Sequence, residues 1–345
     1  MKKVLTVAIV CKNEEKQISA CIESVIEACK FLPRKAYEII LVDSYSTDST
    51  VDIALNYDIT IYRLGKDWFH SPAAGRFTAV NHASGEFLFI IDADMTLHEG
   101  FLQNALEFIR TNPRIGGVRG IMIDIIPYGE EKIVRKYGID NVKGCDASKP
   151  QPIKVISGAG LFRLDAIKEA GNFHPFLGAE EEYDICQRLR RKGYQLWNIP
   201  FEAVTHHGRS SAYWEEISRR IKGPLYIGMG TKLANSLKHG FFLEDFKRYT
   251  RYIIYVVPTL LLPLALLVSI ATGNPLWIIA NLFLEFLLFG ASMLKKGGNV
   301  RKGFRTFITL NIIGISIFRG FIKGIPPANR YPTNVEIVKT SKPDR

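Results

Sequence analysis

Asp92-Ala-Asp94 is the first place in this sequence where neighbouring side chains could do chemistry together. Two carboxylates one residue apart, at the end of an apolar run, can both turn toward one cation. Hard oxygen donors that leave positions open suit Mg²⁺ or Mn²⁺ carried in on a phosphate. A solvated turn is the plain alternative, and these three residues alone do not decide. A second acidic group stands at Glu180-Glu-Glu182, with Asp184 close behind. One of these carboxylates could act as a general base. His206-His207 is the third group, and such a pair at a strand end can supply a metal ligand.

The elements that must position these groups read as a soluble α/β domain. Phe87–Ile91 is a continuous apolar run leading into Asp92, the mark of a buried parallel strand, and ligands gather at the carboxyl ends of such strands. Val4–Cys11 reads as the first strand, and Asn13-Glu14-Glu15 opens a helix running to about Cys29. Tyr37–Val42 is a second strand ended by Asp43, and Ser44–Thr50 can cap a short helix after it. Thr60–Leu64 is a third strand, and residues 71–83 are a helix carrying Arg76. This β-α-β-α-β order predicts a doubly wound, mostly parallel sheet. No G-x-G-x-x-G follows the first strand, so a dinucleotide cofactor is not expected.

Beyond the opening strand, Glu99–Arg110 reads as a helix and Gly116–Ile126 as a strand. Residues 127–152 read as a polar loop with some helix. Val155–Arg163 reads as a strand broken by glycines, either at a bulge or where backbone approaches a ligand. Asp165–Ala170 is a short helix. Residues 180–193 form a helix that starts acidic and ends basic, matching its dipole. Gln195–Ile199 and Ala203–His206 read as two short strands.

Composition places this domain at a membrane. The formal charge is +11, which suits an anionic partner. No zinc-finger, RNA-binding or basic-zipper pattern is present, so phosphate and lipid are expected and nucleic acid is not. Five cysteines at irregular spacing fit reduced thiols in a cytosolic domain. Met1-Lys-Lys before Val4–Val10 has the opening of a secretory signal, but the run is short and leads straight into charged residues. Tyr252–Thr272 carries no charge and is long enough to span about 30 Å. Leu276–Leu294 is a second span with one charge, Glu285, a functional candidate by its depth. Basic residues from Lys295 to Arg305 put that end, and with it residues 1–250, in the cytoplasm. The segment 307–325 is ambiguous between a third span and a helix at the cytoplasmic interface, and the interface is preferred. Residues 211–251, with Arg219, Arg220, Lys222, Tyr226, Lys247, Arg248, Tyr249 and Arg251, read as interfacial helices on anionic lipid.

Four stretches together resemble the family 2 inverting glycosyltransferases of GT-A fold. Cys11-Lys-Asn-Glu-Glu15 looks like the family's first turn. Val42-Asp-Ser-Tyr-Ser-Thr-Asp48 looks like its V-D-D-G-S-T-D element, with Ser44 and Tyr45 departing from Asp-Gly. Gly75-Arg-Phe-Thr-Ala-Val-Asn-His-Ala-Ser-Gly-Glu86 and Asp92-Ala-Asp94 look like its A-R-N…G-E and D-x-D elements. Glu181-Glu-Tyr-Asp-Ile185 with Arg188–Tyr194 looks like its E-D-x-D-L…R-L-R-K-K-G-Y element.

The resemblance covers about residues 4–210 and implies roles. Asp43 would bind the nucleotide base and Arg76 would lie near the nucleotide. Asp92 would touch the nucleotide sugar or a metal, and Asp94 would hold Mg²⁺ or Mn²⁺ against the diphosphate. Glu182 would be the general base, with Glu181 and Glu180 as alternatives. His206 would be a third metal ligand, with His207 as alternative. The expected protein has a GT-A domain over residues 1–210, interfacial helices over 211–251, two spans over 252–294 and a basic C-terminal segment over 295–345. It would be a multi-pass membrane protein with a cytoplasmic catalytic domain. It would move a sugar from a nucleotide-sugar donor to a hydroxyl on a lipid-linked or glycan acceptor. A polyprenyl-phosphate glycosyl synthase is the near alternative. A processive synthase is disfavoured by the absence of Gln-x-x-Arg-Trp, and a non-catalytic scaffold by the intact carboxylates.

Overall fold

A computed structural model describes residues 3–128, 131–137, 148–208 and 225–341, together with residues 215, 217, 218, 221 and 223. The chain divides into two compact units, residues 1–211 with 326–345, and residues 212–325.

The first unit is built on a sheet of eleven strands. In chain order they are β1 (Leu5–Cys11), β2 (Tyr37–Asp43), β3 (Thr60–Arg63), β4 (Phe87–Asp92), β5 (Met95–Leu97), β6 (Ile115–Tyr128), β7 (Glu131–Tyr137), β8 (Gln151–Ile153), β9 (Gly160–Arg163), β10 (Gln195–His207) and β11 (Glu336–Lys339). Its helices are α1 (Ile18–Ala28), α2 (Thr50–Ala54), α3 (Pro72–His82), α4 (Phe101–Arg110), α5 (Leu164–Glu169) and α6 (Glu181–Arg191). The main order across the sheet is β11-β3-β2-β1-β4-β9-β6-β10-β5.

Strands β3, β2, β1 and β4 are parallel, as the β-α-β pattern predicts. Beyond β4 the sheet turns mixed, because β9 pairs antiparallel with both β4 and β6. The period-2 geometry of β1 and β4 feeds two cores at once. Leu5, Val7, Ile9, Phe87, Phe89 and Ile91 pack on the α1 and α4 side. Ala8, Val10, Leu88 and Ile90 pack on the other, against α3, α5 and α6. Both faces are covered, which is why these strands read as unbroken apolar runs.

Several boundaries differ from the sequence expectation. Helix α1 starts at Ile18, because Asn13 takes a left-handed φ of 56° and holds the preceding turn open. Among its described residues the stretch 127–152 contains β7, in an antiparallel hairpin with β6, and β8; residues 129–130 and 138–147, including Cys145, lie outside the described residues, and with them any helix expected there. The β7 segment is charged and exposed on its edge, so its period-2 signal is weak. Only Gly160–Arg163 of the expected strand 155–163 is extended into the sheet. The two short strands expected at 195–206 are one strand, β10, with register shifts between Asn198 and Val204 around Pro200. Pro200 has no N–H to offer the ladder, which reads in sequence as a break.

The C-terminal tail is part of this first unit. Strand β11 pairs antiparallel with β3, and Tyr331 is buried against Trp68, Phe77 and Phe176.

The second unit consists of helices α7 (Leu225–His239), α8 (Phe242–Thr272), α9 (Leu276–Leu294) and α10 (Val300–Lys323). Three of them, α8, α9 and α10, are long and apolar enough to cross a membrane. The expected interfacial stretch 242–251 is the first part of α8, since no helix breaker separates it from Tyr252. Tyr226 and Tyr249 are buried with Met229, Leu233, Ile313 and Ile317 instead of facing outward; Arg219, Arg220 and Lys222 lie outside the described residues. Glu285 meets Thr259 Oγ1 at 2.5 Å through Oε1, while its Oε2 is buried without a partner.

Candidate active site

The site is assembled at the carboxyl ends of β4 and β10 by α3 and the start of α6. Helix α3 is capped at Ser71, whose Oγ accepts from the N–H of Ala74, and Pro72 occupies its first turn. Gly75 lets α3 lie directly on β1, since a Cβ there would collide with Val10 Cγ1. That close approach sinks Arg76, 3 % exposed, beneath the end of β4.

Arg76 is the hub. Its Nη2 donates to both oxygens of Asp92 at 3.0 and 3.1 Å and to Glu182 Oε1 at 3.0 Å. Its Nη1 donates to Glu181. Burial disfavours the charged guanidinium, but Asp92, Glu182, Glu181 and Asp94 overcome it and hold the proton firmly. Arg76 was expected near the nucleotide; here its terminal nitrogens are engaged by carboxylates.

One guanidinium does not neutralise this cluster. Burial pushes Asp92 up to about 6, with Arg76 opposing and Asp94 adding to the shift. Burial pushes Glu182 up to about 7, again opposed by Arg76 and reinforced by Glu181 and Asp92. Glu182 Oε1 also accepts from the N–H of Gly158 at 2.8 Å. Gly158 sits at φ 78°, where a side chain would be strained. The broken strand of the sequence reading thus brings backbone to Glu182.

Among the three glutamates the structure makes a distinction. Glu180 is the left-handed residue that starts α6, and its carbonyl accepts from the N–H of Asp184. The Glu181 side chain is 8 % exposed and that of Glu182 is 24 % exposed. Asp184 is paired within its own helix to Arg188 at 2.6 Å.

Asp94 and His206 form the other half of the site. His206 Nε2 lies 3.3 Å from Asp94 Oδ2, and its Nδ1 lies 2.8 Å from Asp124 Oδ1. The hydrogen bond to Asp94, then the charges of Asp94 and Asp124, push His206 up to about 9 against the effect of burial. His207, on the opposite face of β10, reaches Thr96 Oγ1 at 3.3 Å. The His207 N–H donates to the Asp94 carbonyl at 2.9 Å, but strand alternation brings only the His206 side chain to the Asp94 carboxylate. Asp124, on β6, was not singled out in the sequence. It is the single acidic residue of a mostly apolar strand, and only the β6–β10 register carries it to His206.

The donors fit a divalent cation in one respect and not in another. Asp94 Oδ1 is buried with no partner, beside the His206 ring; a cation bound there would displace the His206 Nε2 proton and take one oxygen and one nitrogen ligand from the protein. The expected trio of Asp92, Asp94 and His206 is not a closed cage. Among the described residues no group of three or more His, Cys, Asp or Glu is arranged to hold a metal, and both Asp92 oxygens accept from Arg76.

Asp43 is fully buried at the end of β2. Its Oδ1 and Oδ2 accept from the N–H of Ser46 at 3.1 Å, Oδ1 accepts from Ser46 Oγ, and Oδ2 faces Arg63 Nε at 3.2 Å. Tyr45 takes φ 62° where the resembled element has glycine, and its ring lies under Arg63 at 4.8 Å. The loop is laced to the Asn13–Glu15 turn. Asn13 Oδ1 accepts from the N–H of Thr47, and the N–H groups of Asn13 and Glu14 donate to Ser46 and Thr50. A cleft of about 470 Å³ opens between this turn, Asp48, Lys132 and His207, within the range of small-molecule sites.

Comparison with known proteins places this geometry. Residues 6–170 match the family described as glycosyl transferase family 2. A curated relative from Methanococcus voltae is 24 % identical over 245 residues, covering 67 % of this chain and 73 % of its own. It is named dolichyl N-acetyl-alpha-D-glucosaminyl phosphate 3-beta-D-2,3-diacetamido-2,3-dideoxy-beta-D-glucuronosyltransferase. Glycosyltransferase AglE of Haloferax volcanii is 25 % identical over 189 residues, 53 % of this chain and 60 % of its own. Among solved structures, the mannosyltransferase PcManGT from Pyrobaculum calidifontis, in complex with GDP-Man and Mn²⁺, superposes with a TM-score of 0.55 at 16 % identity, covering 94 % of this chain and 87 % of its own. TarS 1-349 of S. aureus gives a TM-score of 0.51 at 16 % identity, covering 74 % of each chain. The fold is that of the GT-A enzymes.

Proposed function

We propose that this glycosyltransferase, whose residues 6–170 match glycosyl transferase family 2, moves a sugar, with inversion, from a nucleotide-diphosphate sugar to a hydroxyl of a lipid-linked acceptor. The observation that carries the reading is Glu182, a carboxylate held open and tuned to about 7 beside the Arg76–Asp92 and Asp94–His206 pairs.

An acceptor hydroxyl is a poor nucleophile until a base takes its proton. A base works best when its pKa lies near the working pH. Glu182 has that property, and the Gly158 N–H together with Arg76 fixes its rotamer. Glu181, deeper and bonded to Arg76, positions the guanidinium. Asp92 completes the clamp on Arg76 at the donor side. Asp94 and His206 would hold Mg²⁺ or Mn²⁺. The cation would supply Lewis-acid stabilisation of the leaving diphosphate. Asp124 fixes the His206 ring through Nδ1, leaving Nε2 aimed at Asp94. The 470 Å³ cleft beside His207 has the volume for the nucleotide part of the donor, and Asp43 serves that part by holding the 44–50 loop in shape.

The acceptor class is supported by the company this chain keeps: the Methanococcus relative is named for a dolichyl-linked sugar phosphate. The apolar helices support a lipid-borne acceptor at the membrane, and the basic residues after α9 support a cytoplasmic catalytic face. A polyprenyl-phosphate synthase is the second reading. Its phosphate acceptor is already an anion and needs no tuned base, so Glu182 weighs against it.

The test uses membranes carrying the protein, a panel of labelled nucleotide-sugars, Mg²⁺ or Mn²⁺, and extracted lipids. Label in an acid-stable glycosidic lipid product is expected. Label released by mild acid from a lipid phosphate would move the assignment to the second reading, and no transfer or donor hydrolysis with any donor would overturn both.

A further inference from the structure

Helices α8, α9 and α10 each have the length and apolarity of a membrane span, but chain connectivity limits how many can cross. Strand β11 hydrogen-bonds to β3, so residues 336–339 share one sheet with β1 to β4. Tyr331 Oη donates to the Phe69 carbonyl, and Lys339 Nζ donates to the carbonyls of Leu55 and Tyr57. A hydrogen-bonded sheet with one continuous core lies wholly on one side of a bilayer. The chain leaves that unit at residue 211 and rejoins it at 326. The segment between must cross an even number of times, and three crossings are excluded.

Packing inside the helical unit identifies the helix that stays out. Tyr255 Oη and Ser292 Oγ are 2.9 Å apart, so the start of the apolar part of α8 and the end of α9 are level with each other. Helix α10 meets this level twice. Gly303 packs on Met293, and Gly314 packs on Val256 and the Tyr252 carbonyl. Eleven residues of α10 separate these contacts, about 16 Å at helical rise, so α10 runs steeply across the α8–α9 pair. Its last third then turns to α7, where Gly230 meets Ile317 and Gly320 meets Ile227. Meanwhile Leu264, Leu267 and Ile270 of α8 and Leu276, Trp277 and Ile279 of α9, at the far end of the pair, are exposed.

We propose that α8 and α9 are the two crossings and that α10 lies along the headgroup layer on the side of the catalytic unit, bound to anionic lipid. The exposed side chains of α10 interleave Arg301, Lys302, Arg319 and Lys323 with Val300, Phe304, Phe318 and Ile322, the composition of a helix in the interface. A fourth crossing by α7 would also satisfy the even count. Its 15 residues rise only about 22 Å, short of a hydrocarbon core of about 30 Å. It also carries Lys232 in a fully buried pair with Asp245. This topology is independent of the transferase reading and stands or falls without it.

The test is sided cysteine labelling of the full chain in sealed vesicles of phosphatidylcholine and phosphatidylserine, with the wild-type chain as background. Lys35→Cys reports the sheet unit, Asn274→Cys the α8–α9 turn, and Asn329→Cys and Thr333→Cys the tail, two positions guarding against one that misfolds. The tail and Lys35 positions are expected to label from the same side, and Asn274→Cys from the other. Tail labelling opposite to Lys35→Cys means three crossings and overturns the proposal; Asn274→Cys on the Lys35 side overturns it as well. Nitroxides at Phe304→Cys and Phe318→Cys, about 21 Å apart along the helix, are expected at one depth near the headgroups. A depth difference approaching that length refutes the interfacial placement.

Discussion

Glu182→Gln should inactivate the enzyme and, above neutral pH, stabilise its fold. The catalytic part follows from the base role. Glutamine keeps an oxygen to accept from Arg76 and the Gly158 N–H, so donor binding survives, while transfer falls by about 10²- to 10⁴-fold. The stability part follows from linkage. The folded Glu182 binds its proton more tightly than the ordinary value of 4.5, up to about 7. A raised carboxyl pKa means the folded state binds more protons than the unfolded one across that window. Its full stability is therefore present below 4.5 and is lost as pH rises through 7. At about 1.4 kcal/mol per unit the ceiling is about 3 kcal/mol. The side chain is 24 % exposed, and solvent screening lowers the figure to about 1–2 kcal/mol. For a unit of this size that is about 2–8 °C in Tm. The assay is thermal unfolding of wild type and variant in detergent, without donor or metal, at pH 4.5 and pH 8.5. The two curves should coincide at the lower pH, with the variant higher at the upper. The wild-type transfer rate should also rise with pH through about 7. A pH-independent gap, or transfer within tenfold of wild type, would refute the reasoning.

Asp94→Asn should abolish Mn²⁺-dependent transfer and lower Mn²⁺ affinity with Tm little changed; full cation-dependent activity would remove Asp94 from the metal. Asp124→Asn should weaken Mn²⁺ binding about 10- to 100-fold, since the His206 ring loses the carboxylate that fixes it. An electron paramagnetic resonance titration of free Mn²⁺ reads this directly, and unchanged affinity would make Asp124 a bystander. Asp43→Ala should cost about 1–3 kcal/mol, because it leaves the buried Ser46 N–H without its acceptor. A donor KM that rises while Tm holds would instead mark Asp43 as a direct base contact. Arg76→Lys should lose most activity, as an ammonium cannot reach Asp92, Glu181 and Glu182 together; kcat within threefold of wild type would argue against the clamp.

What was legible in the sequence is what local pattern encodes. The runs Val4–Cys11 and Phe87–Ile91 are buried on both faces, so their composition alone announced parallel strands. The acidic start and basic end of α6 were readable from charge, and the helix expected over 71–83 is α3, Pro72–His82. Strand β7 was missed because an exposed edge strand has no apolar face to alternate. Strand β11 was missed because four residues after a membrane segment carry no pattern until β3 offers them an edge.

The sequence by itself determined the α/β type of domain, the order of most of its elements and the residue types its candidate site draws on. Asp92-Ala-Asp94, the glutamate cluster and the histidine pair were all visible there. Tertiary structure alone decided how they are partnered. Arg76 takes Asp92, Glu181 and Glu182, while Asp94 is left to His206, which Asp124 holds from another strand. The physical reason is that hydrogen-bond partners are chosen by distance and burial across strands and helices, here between Asp94 and His206, 112 residues apart. Local sequence spacing does not carry that information. The same holds for the membrane: the sequence left residues 307–325 between a third span and an interfacial helix, and the pairing of β11 with β3 is what our proposal of two crossings rests on.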